Sequence, residues 1–381
     1  HAATHAQRLF APHAWLPHQS QAFITALPAL DLFPIAHWAR LSARHWRAGR
    51  DAVMGYGHPS GYQGLREAIA THLNAARGIR CDPDQVFIVS GAQQAFFLIS
   101  ALLLNPGDHV WFENPGAIGA RNAFVASGAR IVPVEIDDEG LSVADGLRKA
   151  PHFRIAFATP SHQQPLGQVM SLTRRLALLR AADDADALIV EDDYDGEFYY
   201  GSQPQPPLKS IDTQDRVIYV GTFSKSLFPS LRLGFILVPG GLVDTFAEVS
   251  ASWLSGVPTA TQAIVTDFMN EGLFSTHIRL MRRAYKARHD ALLEAAAGLS
   301  GRIDLQATAS GFHTVGFLAD DADEDAVVAG AREKGIIVAP LSRYCMTPIA
   351  RRGLVLGFGG VAPDEIRRGI AILRTLPELA G

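Results

Sequence analysis

The chain has 381 residues, 48% of them hydrophobic and 19% charged, with 34 Lys plus Arg against 38 Asp plus Glu for a net charge of -4. That length predicts two or three domains with an ample core, and the balance excludes a general polyanion binder, a disordered tail and a fibre. The two cysteines, Cys81 and Cys345, match neither a zinc spacing nor a disulfide framework, which suits a reducing cytoplasm.

The first fifty residues are rich in Pro, His and Trp and are expected to pack onto other parts of the molecule. Histidines at positions 1, 5, 13 and 18 are scattered, with neither tag nor metal-site spacing. No basic segment followed by an apolar one opens the chain, so no signal peptide is expected, and the non-Met start points to chain further upstream. From about residue 51 to 260, apolar runs alternate with helical patterns: Val86 to Val89, His109 to Phe112, Arg130 to Val134, Arg154 to Ala158, Ala187 to Val190, Val217 to Val220 and Phe235 to Val238. This alternation predicts an α/β domain on a mainly parallel sheet. Leu65, Ile69 and Leu73 recur at helical spacing, and Leu176 to Leu179 lie in another such pattern. Ala95 to Leu104 is apolar for ten residues, about half of a bilayer span, and reads as a buried helix.

A long helix is expected from about Ser275 to Leu299, with Ile278, Met281, Tyr285 and Leu292 inward and Arg279, Arg282, Arg283, Lys286 and Arg288 on a solvated face. Strands follow at Gly311 to Leu318, Gly335 to Ala339 and Gly353 to Phe358, then a closing helix from Pro363 to Leu376. These make a second, smaller α/β unit. The expected division is an N-terminal segment 1–50, a large domain 51–270 and a small domain 271–381.

Three segments carry chemistry. In Thr222-Phe-Ser224-Lys225-Ser226 a strand delivers a lysine into a hydroxyl-lined turn, and Arg232 follows seven residues later. Ser224 stands where a P-loop needs Gly, so that motif fails, while Lys and Arg flanking hydroxyls suit a phosphate beside a reactive amine. In Ala187-Leu-Ile-Val-Glu191-Asp192-Asp193-Tyr194, carboxylates end a buried strand, where open α/β sheets bind ligands. A metal reading of Glu191, Asp192 and Asp193 ranks well below a cofactor role. In Val89-Ser90-Gly91-Ala92-Gln93-Gln94 a strand turns into a helix whose first N–H groups can hold an anion.

With these segments, the chain resembles the fold type I pyridoxal 5'-phosphate (PLP) enzymes of the aspartate aminotransferase group. It is most similar to the aminotransferase-like effector domain of MocR/GabR-type regulators in the GntR superfamily. The likeness runs from Leu27-Pro-Ala-Leu-Asp31 through Tyr56-Gly-His-Pro-Ser-Gly-Tyr62 and Thr159-Pro-Ser-His162-Gln-Gln164-Pro165-Leu166-Gly167 to Ser342-Arg343-Tyr344.

The resemblance implies a role for each residue. Lys225 would form the internal aldimine with PLP, Asp192 would pair with the pyridinium nitrogen, and Tyr194 and Gln164 would hydrogen-bond the ring 3'-oxygen. Ala92, Gln93, Thr222, Ser224 and Arg232 would hold the phosphate. Tyr56 would reach the phosphate of a neighbouring subunit, which implies a homodimer with shared sites. Arg343 would grip the carboxylate of an amino-acid ligand, with His162 beside it. An external aldimine with that ligand would be the sensed state.

One departure stands out: after Pro115-Gly116 the family usually carries an aromatic residue to stack on the cofactor ring, yet this chain has Ala117 and Ile118. His162 and Phe124 are the candidates to cover the ring instead. Leu166 likewise stands where related chains commonly carry a small or hydroxyl residue. The regulator-like motifs, the non-Met start and Ala117 favour a ligand-sensing, cytoplasmic effector domain whose winged-helix DNA-binding part lies upstream. The alternative is a stand-alone aminotransferase working between an amino acid and a 2-oxo acid.

Overall fold

A computed structural model describes residues 20–48, 53–201, 204–254 and 256–379. The strands of the larger sheet are β1 Val86–Val89, β2 His109–Asn114, β3 Arg130–Asp137, β4 Gly140–Leu141, β5 Ile155–Ala158, β6 Leu188–Asp192, β7 Val217–Thr222 and β8 Gly234–Leu237. Their order across the sheet is β1-β8-β7-β6-β5-β2-β3-β4. Strands β3, β2, β5, β6 and β7 are parallel neighbours, while β8 runs antiparallel between β7 and β1. Every residue of β1, β5 and β8 is buried, as continuous apolar runs covered on both faces should be.

Several strands extend past the runs read from the sequence. β6 continues from Val190 through Glu191 to Asp192, which lies opposite Val220 of β7. β7 itself runs on to Thr222. Because β8 runs antiparallel to both of its neighbours, β1 points the same way as β7, so the ends of β1, β2, β5, β6 and β7 share one edge.

The smaller sheet, antiparallel in the order β11-β12-β10-β9, comprises β9 Ile303–Leu305, β10 His313–Leu318, β11 Ala339–Pro340 and β12 Gly353–Gly357. The helices Leu273–Ala296 and Pro363–Leu373 lie on it. A core containing Phe23, Leu65, Phe268, Tyr285, Leu354 and Leu373 runs continuously through both sheets' surroundings. In the N-terminal segment, Phe23 bridges Gly357 of β12, and Arg40 and Arg44 of the helix Ile35–Ala48 reach Glu271 and Asp267. The scattered histidines at 1, 5, 13 and 18 lie outside the described residues. Among the described residues no helix is long and apolar enough to cross a membrane.

Two expectations are corrected. Gly335 to Ala339 is mostly not a strand: it ends the helix Glu324–Glu333, with Gly335 at φ 78 and Ile336 N–H returning to Ala331 O at 2.9 Å. The β-branched pair that looks like a strand serves a helix C-cap, and pairing is left to Ala339–Pro340. Arg288 does not lie on a solvated face; it is buried, donating to Gly359 O and, at 2.8 Å, to Asp31 Oδ2. Its position three after Tyr285 and four before Leu292 puts it on the packed side of the helix.

Candidate active site

At the end of β1 the backbone turns through Gly91, at φ 83, into the helix Ala92–Leu103, which has no side-chain cap. The N–H groups of Ala92 and Gln93, in its first turn, have no carbonyl within the helix to bond. Gln93 turns its amide to Gly119 O at 2.9 Å. Arg232, itself left-handed at φ 48, donates to Ser90 O at 3.2 Å. A Cβ on Gly91 would lie 3.4 Å from its Nη2, so the guanidinium rides directly over the turn. Uncapped N–H groups beside a guanidinium make an anion cradle.

Across the same edge, Thr222 Oγ1 accepts from Ser224 N–H at 3.2 Å and starts the short turn Phe223–Ser226. The turn sets Lys225 inside the protein, where Nζ donates to Ala26 O at 2.7 Å. Burial lowers its pKa to about 8, with Asp195 and Asp192 acting in the opposite direction.

Asp192, the last residue of β6, is 6% exposed, and its Oδ1 has no hydrogen-bond partner among the described residues. Burial, reinforced by Asp193 and Asp195, pushes its carboxyl well above the usual carboxylate range. Its neighbours in sequence face elsewhere. Glu191 accepts from Leu208 and Lys209 N–H at 2.8 and 2.9 Å, and Asp193 binds Arg77 and the Tyr219 hydroxyl.

Tyr194 Oη donates to His162 O at 2.9 Å. The His162 ring is 1% exposed, with Nδ1 2.7 Å from Asp195 Oδ2, and its centroid is 4.5 Å from that of His313. Burial lowers both imidazoles to about 3 and raises Asp195 to about 8. The ring of His162 is thus occupied beneath Tyr194. Phe124, the other candidate to cover a cofactor ring, is fully buried with Phe112 and Phe157 in the core under the sheet edge.

Gln164 is half-buried, its N–H bonded to Thr159 Oγ1 at 3.0 Å. Sequence reasoning missed what shapes this loop. Buried Glu113, at the end of β2, accepts from Thr159 N–H at 2.9 Å, Thr159 Oγ1 at 2.6 Å and Gln163 Nε2 at 3.1 Å. Burial moves its carboxyl up to about 7. A lone glutamate closing the apolar run Val110 to Phe112 was the available signal; Asp195 and His313, by contrast, had none.

Arg343 arrives from the small sheet, half-buried on the turn Leu341–Tyr344. Gly116 N–H donates to Tyr344 O at 3.1 Å, holding that turn against the loop that ends in Ala117. Tyr56 stands apart, fully exposed.

The site can therefore hold an anion at the helix start, and it brings a buried acid into the electrostatic reach of an amine of lowered basicity. The model of the family described as aminotransferase class I and II matches residues 29–352. The chain belongs to this family. Its relatives include the probable rhizopine catabolism regulatory protein MocR of Rhizobium meliloti, 38% identical over 355 residues, covering 93% of this chain and 72% of that protein. The HTH-type transcriptional regulator YhdI of Bacillus subtilis is 34% identical, covering 94% and 77%. Aromatic-amino-acid aminotransferase 1 of Thermococcus litoralis is 28% identical, covering 90% and 84%. Among solved structures, LysN, the α-aminoadipate aminotransferase of Thermus thermophilus, complexed with N-(5'-phosphopyridoxyl)-L-leucine, matches with a TM-score of 0.90 at 26% identity, covering 99% of this chain and 97% of that one.

Pyridoxal 5'-phosphate is the cofactor of this aminotransferase family. The residues present fit it. The orphaned Asp192 Oδ1 is a buried acceptor waiting for an N–H donor such as a protonated pyridine, and the uncapped helix under Arg232 suits its phosphate.

Proposed function

We propose that this chain is the PLP-holding, amino-ligand-sensing unit of a MocR-type transcription regulator. The observation that carries the cofactor part is the unpartnered Oδ1 of buried Asp192, on the strand beside the one that delivers Lys225. The regulator part rests on the similarity to MocR and YhdI, proteins named as regulators. Winged-helix DNA binding would come from chain outside this sequence.

When bound, the cofactor supplies an aldehyde that condenses with amines and a ring that withdraws electrons from them. The protein's residues do the rest. Ala92 and Gln93 N–H, Thr222, Ser224 and Arg232 bind the phosphate, and Asp192 holds the proton on the pyridine nitrogen. Tyr194 and Gln164 orient the ring through its 3'-oxygen. Lys225 is the attachment point: with its pKa lowered to about 8, roughly a quarter is neutral amine at pH 7.5, against about one part in a thousand for an ordinary lysine. Arg343 takes the ligand carboxylate by a two-pronged bond. Exposed Tyr56 serves the site of a second copy, in a homodimer with shared sites. Ala117 gives the ring no aromatic wall, which loosens the register that repeated proton transfers require but not simple exchange of amines.

The second reading, an aminotransferase in its own right, is favoured by the similarity to the Thermococcus litoralis enzyme over 84% of its length. One set of experiments separates them. The purified protein with PLP should be yellow, and borohydride followed by peptide mapping should mark Lys225; a mark on another lysine would refute the site. Amino acids should shift the visible spectrum, with little product from added 2-oxo acids. Turnover on the order of 1 per second or faster would establish the enzyme reading in place of the sensor.

A further inference from the structure

Asn114 is the last residue of β2, 4% exposed, and none of the roles above uses it. Its side chain does not face the cradle. Oδ1 accepts from Met346 N–H at 2.6 Å and Thr347 N–H at 3.4 Å, while Nδ2 donates to Thr347 Oγ1 at 2.8 Å and Thr347 O at 3.3 Å. One amide thus bonds both donors and acceptors of the chain that follows Arg343. Immediately after Arg343, Tyr344 O accepts from Gly116 N–H at 3.1 Å and from Arg121 Nη1 at 3.4 Å, and the Tyr344 side chain hydrogen-bonds Thr25.

We propose that Asn114 is a positioning residue that clamps the 344–347 segment of the small sheet onto the large one and thereby sets Arg343 for ligands that carry a carboxylate. The physical reason lies in the bonds themselves. A short polar side chain on a rigid strand end holds a loop tightly only if it satisfies the loop's donor and its acceptor together, and a primary amide does both. A carboxylate would keep the Met346 contact but face Thr347 O with a second acceptor. Alanine would keep neither. The consequence is selective: loosening residues 346 and 347 displaces Arg343, so capture of a carboxylate suffers while capture of a plain amine does not.

This inference rests on the reading of Lys225 and Arg343 given above, and its test keeps the two apart. The PLP-loaded full chain is titrated with the proteinogenic amino acids and with the amines formed from them by loss of carbon dioxide, L-leucine against isoamylamine being one pair, and spectral change gives each Kd. Asn114→Ala should leave the cofactor band in place, raise Kd for the amino acid at least tenfold and change Kd for the amine less than twofold. Asn114→Asp should fall between Ala and the natural residue. Thr347→Ala, at an exposed position, should give a smaller loss in the same direction and add little to Asn114→Ala, and it decides the matter if the latter fails to fold. Equal loss for amino acid and amine, or loss for neither, overturns the clamp. If the natural protein shows no cofactor band or no response to any amino acid, the functional reading fails instead.

Discussion

Lys225 Nζ donates to the carbonyl oxygen of Ala26 across 2.7 Å, tying the turn after β7 to a segment 199 residues earlier in the chain. That segment is itself anchored: Ala29 N–H donates to Tyr285 Oη at 3.1 Å, and Phe23 bridges β12. The amine therefore lies under a strap that joins it to the small sheet, and burial beneath that strap depresses its basicity.

The first prediction follows from that burial. Desolvation disfavours the ammonium form, so neutral amine accumulates as pH rises through about 8. The rate at which the cofactor-free protein takes up PLP should rise with pH and level off above about 8.5. Stopped-flow absorbance across pH 6.5 to 10 checks this, and a rate still climbing about sevenfold between pH 9 and 10 would show an ordinary lysine.

Asp192→Asn separates stability from function. The Asp192 carboxyl titrates well above its unfolded value, so the folded state holds its proton more tightly, and the natural protein loses stability as pH rises above about 4. Removing the charge should therefore make the cofactor-free protein equally or more stable at neutral pH, by about 1–3 kcal/mol, with the gap vanishing in acid. The same variant should retain PLP poorly, since its amide does not hold the pyridine proton. Urea melts at pH 4 and 7.5, with and without PLP, read both effects.

Gly91→Ala attacks the cradle. Its φ of 83 belongs to the left-handed half of backbone space, and the new Cβ would sit 3.4 Å from Arg232 Nη2. With ψ at 169 the residue lies where essentially only glycine goes, so we expect about 1–3 kcal/mol of lost stability from the backbone alone. PLP affinity should fall more than tenfold as the strained turn shifts the Ala92 and Gln93 N–H groups out of the cradle. Equilibrium dialysis measures the latter, and unchanged affinity would remove this turn from the phosphate site.

Arg288→Met tests the long helix. The substitution keeps the packed stem but strands Gly359 O and releases Asp31, so about 2 kcal/mol of stability should be lost. A solvated arginine would cost within about 0.5 kcal/mol. Thermal melts of the cofactor-free protein distinguish the two.

Much of the site was legible because its parts are local. Apolar runs breaking into Ser90-Gly91, into Asp192 and into Thr222-Phe-Ser-Lys225 each state a strand end, a turn and a side-chain chemistry within a few residues, and their order along the chain carried the family likeness. Ala117 was visible as a departure by simple inspection.

What fills its place was not legible. Whether Phe124 faces the site or the core is decided by how its helix is rotated against β2 and β5, and the structure turns it into the core with Phe157. Arg288 shows the same limit, because its charge predicts solvent while its helical position places it against Asp31 and Gly359. Sequence by itself determined the α/β architecture, the family and the order of the site's parts, since periodicity and turn chemistry act over a few residues. Only the tertiary structure decided that His162 meets Asp195 and His313, that Ala26 receives Lys225 and that Asn114 holds Met346 and Thr347. These pairings join residues far apart in the chain, and they exist only where strand register and packing bring a donor to its acceptor.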